Sequence, residues 1–282
     1  MRRGTEGLAL KPPKRILDCG PADFASMGGA DLLHSIRRSE GRTVLCEVLW
    51  PAPPLVDGAT NPDLAVAFGT DLVLLNKFDG AGELPDLKER IGRPVGVNVE
   101  PSDAVPPHRR ASRENLERLV DVDFVVVTAN PDAEVGSGQM VEAAALARDV
   151  LSGVPVFAGK MHGSGGRGLV EAEEVSRLAA SSDAVLLPAP GTVPGSRESV
   201  VAELVGAAHD AGALAVATVG TSQEGADAET VRELALAAKR AGADVLHLGD
   251  ADYSGVAEPM NVLAASVAIR GRRHAYRRMA LR

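Results

Sequence analysis

Pro155-Val156-Phe157-Ala158-Gly159-Lys160-Met161-His162 begins as an apolar run and ends in lysine and histidine, and a glycine-rich turn continues it to Gly168. A run that closes in functional side chains and then loses backbone restraint reads as the reacting end of a buried strand. The same construction recurs along the chain. Apolar, β-branched runs start near Thr43 (TVLCEVLW), Leu72 (LVLLNKF), Pro94 (PVGVNVE), Asp123 (DFVVVTAN), Pro155, Ala184 (AVLLPAP), Ala213 (ALAVATVG) and Ala243 (ADVLHLGD), 22 to 32 residues apart. Helix punctuation lies between them. Asn61-Pro62 and Glu258-Pro259 place proline at a first helical position, Asp227 caps a helix that ends in Gly242, and Ser196 opens one closed by Gly212. Eight buried strands, each followed by a helix, imply a single-domain (β/α)8 TIM barrel of the usual length of about 250 residues. A doubly wound sheet would leave about half the chain as insertions or a second domain, and no linker marks one.

Residues 1–14, with Arg2, Arg3, Lys11, Pro12, Pro13 and Lys14, read as a loosely ordered arm ahead of a barrel domain at 15–282. Pro21 to Ser39 has helical spacing through Phe24, Met27, Leu32, Leu33 and Ile36, and precedes the first strand. It is expected to plug the bottom of the barrel.

Composition excludes several classes. The 282 residues are 45% hydrophobic and 24% charged, which suits one large soluble core. No apolar run is long enough for a transmembrane helix and no signal peptide is legible, so the expected location is the cytoplasm without membrane attachment. Cys19 and Cys46 lack zinc-ligand spacing and read as buried thiols. A net charge of −8 argues against a nucleic-acid partner.

Barrel enzymes place their chemistry at the carboxyl ends of the strands. Side chains facing the axis share parity along each strand. On the third strand Gly96, Asn98 and Glu100 share one face, and Val95, Val97 and Val99 share the other, which must face the helices. The same rule turns Val126, Thr128 and Asn130 inward on the fourth strand. Polarity at the strand end turns Ala158, Lys160 and His162 inward on the fifth. Asn76 ends the second strand, Glu47 sits on the first, and His247 is axial on the eighth with Asp250 just beyond. A lysine inside a buried strand is costly unless it is paired or functional. Lys160 is therefore a candidate catalytic residue, or else an ion-pair partner of Glu100 or Glu47. His162 and Glu100 are the accompanying candidates, with Asn76, Asn98, Thr128, Asn130 and His247 as candidate substrate contacts.

Two glycine-rich loops, Gly220–Gly225 and Gly249–Gly255, follow the last two strands, where barrels often bind phosphate. Ser222, Gln223, Gly249 and Gly255 suit such a site. Glu224, Asp250 and Asp252 would repel an anion unless a cation intervenes, so a divalent cation such as Mg2+ on Glu47 and Asp250 is an alternative. Leu187–Gly195 contains three prolines and reads as a rigid pocket wall. The basic tail, Arg270–Arg278, reads as a solvated or subunit-contacting helix, and its sharper alternative is anion binding across the interface of a homo-oligomer.

The segments AGKMHG, LLPAPGTVPG, VGTSQEGAD and HLGDADYSG, with GVNVEP and IRGRRHAYRRMA, resemble a bacterial family of uncharacterised barrel proteins. Its members carry the labels phosphoenolpyruvate phosphonomutase or haloacid-dehalogenase-like hydrolase. The resemblance runs from Leu17 to Met279. A haloacid-dehalogenase-like hydrolase needs an Asp-x-Asp pair after its first strand, whereas the only such pair after a strand here is Asp250-Ala251-Asp252. A phosphonomutase is similar in fold and implies magnesium and a small oxo-acid. Its early acidic metal motif and Glu-Asp-Lys run are not found here. Asp250–Gly255 echoes its Asp-rich turn at the eighth strand, although the resemblance implies glycine where this chain has Asp252.

The expectation is thus a lyase or isomerase of phosphonomutase-like class acting on a small anionic oxo-acid or phosphorylated carbon compound. Lys160 would form a Schiff base or bind an anion, and His162 or Glu100 would move the proton. The alternatives are a metal-dependent enzyme using mouth carboxylates and histidines, or a non-catalytic barrel that binds a metabolite or aids assembly.

Overall fold

The computed structural model describes residues 13–119, 121–130, 135–161, 169–250 and 254–281. Eight parallel strands close into a barrel in sequence order: β1 Thr43–Leu49, β2 Leu72–Asn76, β3 Val95–Val99, β4 Phe124–Val127, β5 Val156–Gly159, β6 Ala184–Pro188, β7 Leu214–Val219 and β8 Val245–Leu248. The seam is made by β8 pairing with β1, with Leu45 opposite His247. The helices are α1 Pro21–Ala25, α2 Gly29–Arg37, α3 Asn61–Ala67, α4 Leu84–Ile91, α5 Arg113–Leu116, α6 Ser137–Val150, α7 Ala172–Ser181, α8 Glu198–Asp210, α9 Ala228–Arg240 and α10 Pro259–Ala280. Thr60 and Asp63 cap α3 reciprocally, and Asp227 accepts from Thr230 N at 2.8 Å to start α9.

Alternation along the strands divides the apolar residues between two cores. Val95, Val97 and Val99 join the layer between sheet and helices. Leu45, Leu72, Leu74, Phe124, Val126 and Phe157 fill the barrel's lower interior with Ile16, Phe24, Leu32 and Ile36 from the N-terminal segment. That segment closes the bottom, as expected. It is two helices rather than one, because Gly28 is extended and the Ser26 hydroxyl turns back onto Ala22 O and Asp23 O. Most of the loosely ordered arm expected at 1–14 lies outside the described residues. Its end is tied down, with Lys14 2.6 Å from Asp23 and Arg38 donating to Pro13 O at 2.7 Å.

The fifth strand reverses the expected parity. Phe157 points to the axis and stacks on Phe124 with ring centroids 5.2 Å apart, while Ala158 packs among the helices. The largest side chain of the strand thus takes the interior beside Phe124, whose own ring lies over Gly96: a Cβ on Gly96 would lie 2.2 Å from that ring. Gly159, at φ +147°, presses against β6 so closely that a Cβ would stand 2.3 Å from Leu186 O.

The basic tail is also corrected. At Gly271 (φ +74°, ψ 161°) α10 kinks and passes beneath the barrel. Arg270 Nη1 is 2.6 Å and Arg278 Nε 2.7 Å from opposite oxygens of Asp71, and all three side chains are buried. Asp71 also accepts from Val44 N at 2.8 Å. Arg278 donates to Cys19 O at 2.8 Å and to Ile16 O, so the tail clamps the bottom plug. These two arginines are neither solvated nor free to bind an anion. Arg277 is the exposed kind expected, paired with Asp18 at 2.9 Å.

Candidate active site at the barrel mouth

Two layers of polar side chains occupy the carboxyl ends of the strands. In the deeper layer Glu47 (β1), Asn98 (β3), Thr218 (β7) and His247 (β8) are almost fully buried. Asn98 Nδ2 donates to Glu47 Oε1. His247 Nε2 stands 3.4 Å from Glu47 Oε2, and its Nδ1 lies 3.0 Å from Thr218 Oγ1. Burial pushes the Glu47 carboxyl above its ordinary range; Asp250 adds to the rise, and His247 and Asn98 oppose it. Asn98 Oδ1 and Thr128 Oγ1 are buried here without a hydrogen-bond partner.

The upper layer is a chain of amides and acids. Asn76 Nδ2 donates to Asp250 Oδ2 at 3.0 Å and to Asn130 Oδ1 at 3.2 Å. Asn130 donates through Nδ2 to Glu100 Oε1 at 2.9 Å and through its backbone N–H to Oε2 at 3.0 Å. Arg109 completes the chain, with Nε 2.7 Å and Nη2 2.6 Å from Glu100 Oε1. The loop after β3 delivers Arg109 by folding back, since Glu100 N donates to Arg109 O at 2.6 Å and Ala111 N to Glu100 O at 2.8 Å. Both Glu100 oxygens are thus engaged.

Lys160 does not join this network. Following the reversed parity of β5, its ammonium donates to Val135 O beside the loop after β4. Partial burial pushes its pKa below the ordinary lysine value, and Glu174 on α7 opposes the shift. The expected ion pairing with Glu47 or Glu100 does not form among the described residues: those carboxylates bind Asn98 and His247, and Arg109 and Asn130. Met161 takes the axial direction instead, close to Gly220. His162, Asp252 and the turn to Gly168 lie outside the described residues.

The described parts of the loops after β7 and β8 are closely packed. Ser222 is exposed, and Gln223 Nε2 donates to Gly191 O at 3.3 Å. Thr221 Oγ1 likewise donates to Thr192 O at 2.8 Å, so this loop is fastened to the proline-stiffened wall after β6. Glu224 turns inward over Gly249, where a Cβ would meet its Oε1 at 2.9 Å. Gly255 faces Ala52 and Asn61 and accepts from Leu49 N at 2.8 Å, a loop contact. Among the described residues no group of three or more histidine, cysteine, aspartate and glutamate side chains could hold a metal ion. Glu47 and Asp250 each have an amide partner instead.

Two members of the network were not expected from sequence. Thr218 shares the axial parity of Leu214 and Val216, so the rule applied to β3 and β4 would have found it. Arg109 sits nine positions after Glu100 in a loop, where no spacing rule operates.

A family model described as a domain of unknown function (DUF7916) matches residues 17–282. No curated protein matches the chain. Among solved structures, a Schiff-base-forming fructose-1,6-bisphosphate aldolase is 17% identical, with a TM-score of 0.54, over 82% of this chain and 94% of the other. The YdjI aldolase from Escherichia coli K12 is 9% identical, with a TM-score of 0.52, over 87% and 94%. A thiamine phosphate pyrophosphorylase from Pyrococcus furiosus is 11% identical, with a TM-score of 0.51, over 82% and 98%. At these identities the likeness concerns the barrel fold. None of these matches is a phosphonomutase or a haloacid-dehalogenase-like hydrolase. No helix among the described residues is long and apolar enough to cross a membrane.

Proposed function

The chain belongs to the DUF7916 family, whose description assigns no activity, and we propose from the mouth itself that it is an acid–base enzyme acting on a small polar carbonyl compound. One observation carries the reading. A deeply buried carboxyl, Glu47, is pushed up by burial at the place where barrels do chemistry, and it faces His247 across 3.4 Å. Such a group keeps its proton to higher pH than an ordinary carboxyl does.

Glu47 would take a proton from the carbon next to a carbonyl and return it, with His247 relaying it and Thr218 fixing the imidazole. The same transfer serves an isomerase, which shifts the carbonyl, and a lyase, which breaks the adjacent carbon–carbon bond. Asn76, Asn98, Thr128 and Asn130 would orient the substrate. Glu100, held by Arg109, would keep Asn130 in place. Of the expected substrate classes we retain the small oxo-acid, whose carbonyl acidifies the neighbouring carbon–hydrogen bond that Glu47 would use. Two free buried cysteines, Cys19 and Cys46, agree with a cytoplasmic location.

A second reading gives Lys160 the Schiff-base role. Its lowered pKa favours it, since a neutral amine is needed to attack a carbonyl with loss of water. Reaching the axis would require its side chain to leave Val135 O.

Deuterium exchange at carbon, followed by proton NMR in heavy water with pyruvate, 2-oxobutyrate, dihydroxyacetone and glyceraldehyde, tests the first reading. Exchange should occur with at least one compound and fall at least a hundredfold in Glu47→Gln and His247→Asn. Equal exchange in wild type and variants would sink it. A borohydride-stable adduct at Lys160 would favour the second.

A further inference from the structure

We infer that the barrel is a fourfold repeat of a strand–helix–strand–helix unit, and that an aspartate at the base ties each unit to the one before it, so that the units open and close as blocks. Among the described residues, Asp71, Asp123, Asp183 and Asp244 stand immediately before β2, β4, β6 and β8. Each fastens the start of the preceding strand with a closed pair of hydrogen bonds. The carboxylates accept from Val44 N, Val95 N and Val156 N at 2.8 Å and from Ala215 N at 2.9 Å. Their own backbone N–H groups donate to the carbonyl oxygens of the same four residues at 2.7 to 2.9 Å. Before β3, β5 and β7 stand Pro94, Pro155 and Ala213, whose side chains can accept nothing. The period is therefore two strands rather than one. The units run from β1 to α4, from β3 to α6, from β5 to α8 and from β7 to α10.

A second set of contacts keeps the same period. Each carboxylate also meets a basic side chain from the unit before its own. Lys88 Nζ lies 2.8 Å from Asp123, Arg148 Nη2 4.0 Å from Asp183, His209 Nε2 2.8 Å from Asp244 and Arg270 Nη1 2.6 Å from Asp71. These basic residues recur about sixty positions apart, and each sits near the end of its helical stretch, Arg270 just ahead of the kink at Gly271. A basic group placed there also complements the helix dipole. The contacts close a ring: α4 reaches the second unit, α6 the third, α8 the fourth and α10 the first. A block bounded by such ties opens cooperatively. Polar contacts at the mouth cross the same joints. Asn76 to Asn130 spans the first and second units, Lys160 to Val135 O the second and third, Gln223 to Gly191 O the third and fourth, and His247 to Glu47 the fourth and first. A tie loosened at the base therefore acts on a particular contact above it.

Amide hydrogen exchange on the full chain, read by NMR, tests the inference, with the urea midpoint of every variant measured alongside. Lys88→Ala should speed exchange of the Val95 amide, in the next unit, about two- to fivefold and leave Val156 and Ala215 unchanged. His209→Ala should speed Ala215 by as much and leave Val95 and Val156 unchanged. Lys88→Arg should match the wild type, because arginine makes the corresponding tie to Asp71. Asp123→Ala should speed Val95 at least about tenfold, since a hydrogen bond to a charged group is lost. Equal acceleration at all three amides, acceleration confined to the unit of the substituted helix, or no acceleration would overturn the inference. The side chains of Lys88 and His209 are partly exposed, so their variants decide the matter even if Asp123→Ala fails to fold.

Discussion

Replacing Asp71 by asparagine removes a carboxylate that faces both Arg270 and Arg278 under the barrel. The guanidinium groups lie 2.6 and 2.7 Å from its two oxygens, and none of the three side chains meets solvent. Burial already pushes the Arg270 pKa down, with Asp71 opposing that shift and Arg278 adding to it. Without the carboxylate, two buried cations face each other uncompensated, and an amide can accept from only one of them. Breaking a buried pair from one side costs about 3–5 kcal/mol. For a chain of 282 residues the unfolding entropy is about 0.6 kcal/mol/K, so the melting temperature should fall by about 5–8 °C. Urea unfolding followed by circular dichroism should give the matching loss, with refolding checked. Arg277→Ala is the control, since its ion pair with Asp18 is exposed and worth at most about 1 kcal/mol. If Asp71→Asn proved no more destabilising than Arg277→Ala, the tail would not be the clamp described here.

Three further outcomes are expected. The raised pKa of Glu47 means that the folded state holds its proton more tightly than the unfolded chain. The wild type should therefore lose stability relative to Glu47→Gln as pH rises from 4.5 through the raised folded value, and a flat difference in denaturation midpoints across that range would contradict the burial effect. Phe157→Ala should cost about 3–5 kcal/mol in urea titrations, because its ring fills the floor against Phe124; a loss below about 1 kcal/mol would restore the outward assignment of that side chain. Lys160 should react with trinitrobenzenesulfonate at lower pH than the exposed lysines, read by peptide mass spectrometry, and slower labelling at every pH would count against its lowered pKa.

The fold was legible because each strand of the barrel is a short apolar run between helix caps, and that signal repeats eight times. The inward residues of β3 and β4 followed from parity, since valines on the other face had to meet the helices. On β5 the same reasoning took polarity at the strand end as its guide and turned Lys160 inward. The parity there goes with the stacking of Phe157 on Phe124 lower in the barrel, a contact between strands that no local pattern reveals. The tail misled for a related reason. Arg270 and Arg278 look like a solvated basic run until Asp71, about two hundred positions away in the chain, is brought beneath them. The candidate site was legible as a list of strand-end residues. Its wiring, from Glu47 to His247 and from Glu100 to Arg109, depends on which strands become neighbours and on one returning loop.

The pairing of Glu47 with His247 straddles the seam where the first strand meets the last. These two side chains belong to segments two hundred residues apart and become neighbours only when β8 docks on β1. Any partly folded barrel with an open seam therefore lacks the pair, however well formed the other strands are. In such a form Glu47 returns to water and titrates as an ordinary carboxyl. The protein thus carries its own gauge of ring closure, and two complementary half-barrel fragments should each be inert and regain the pair only on reassembly.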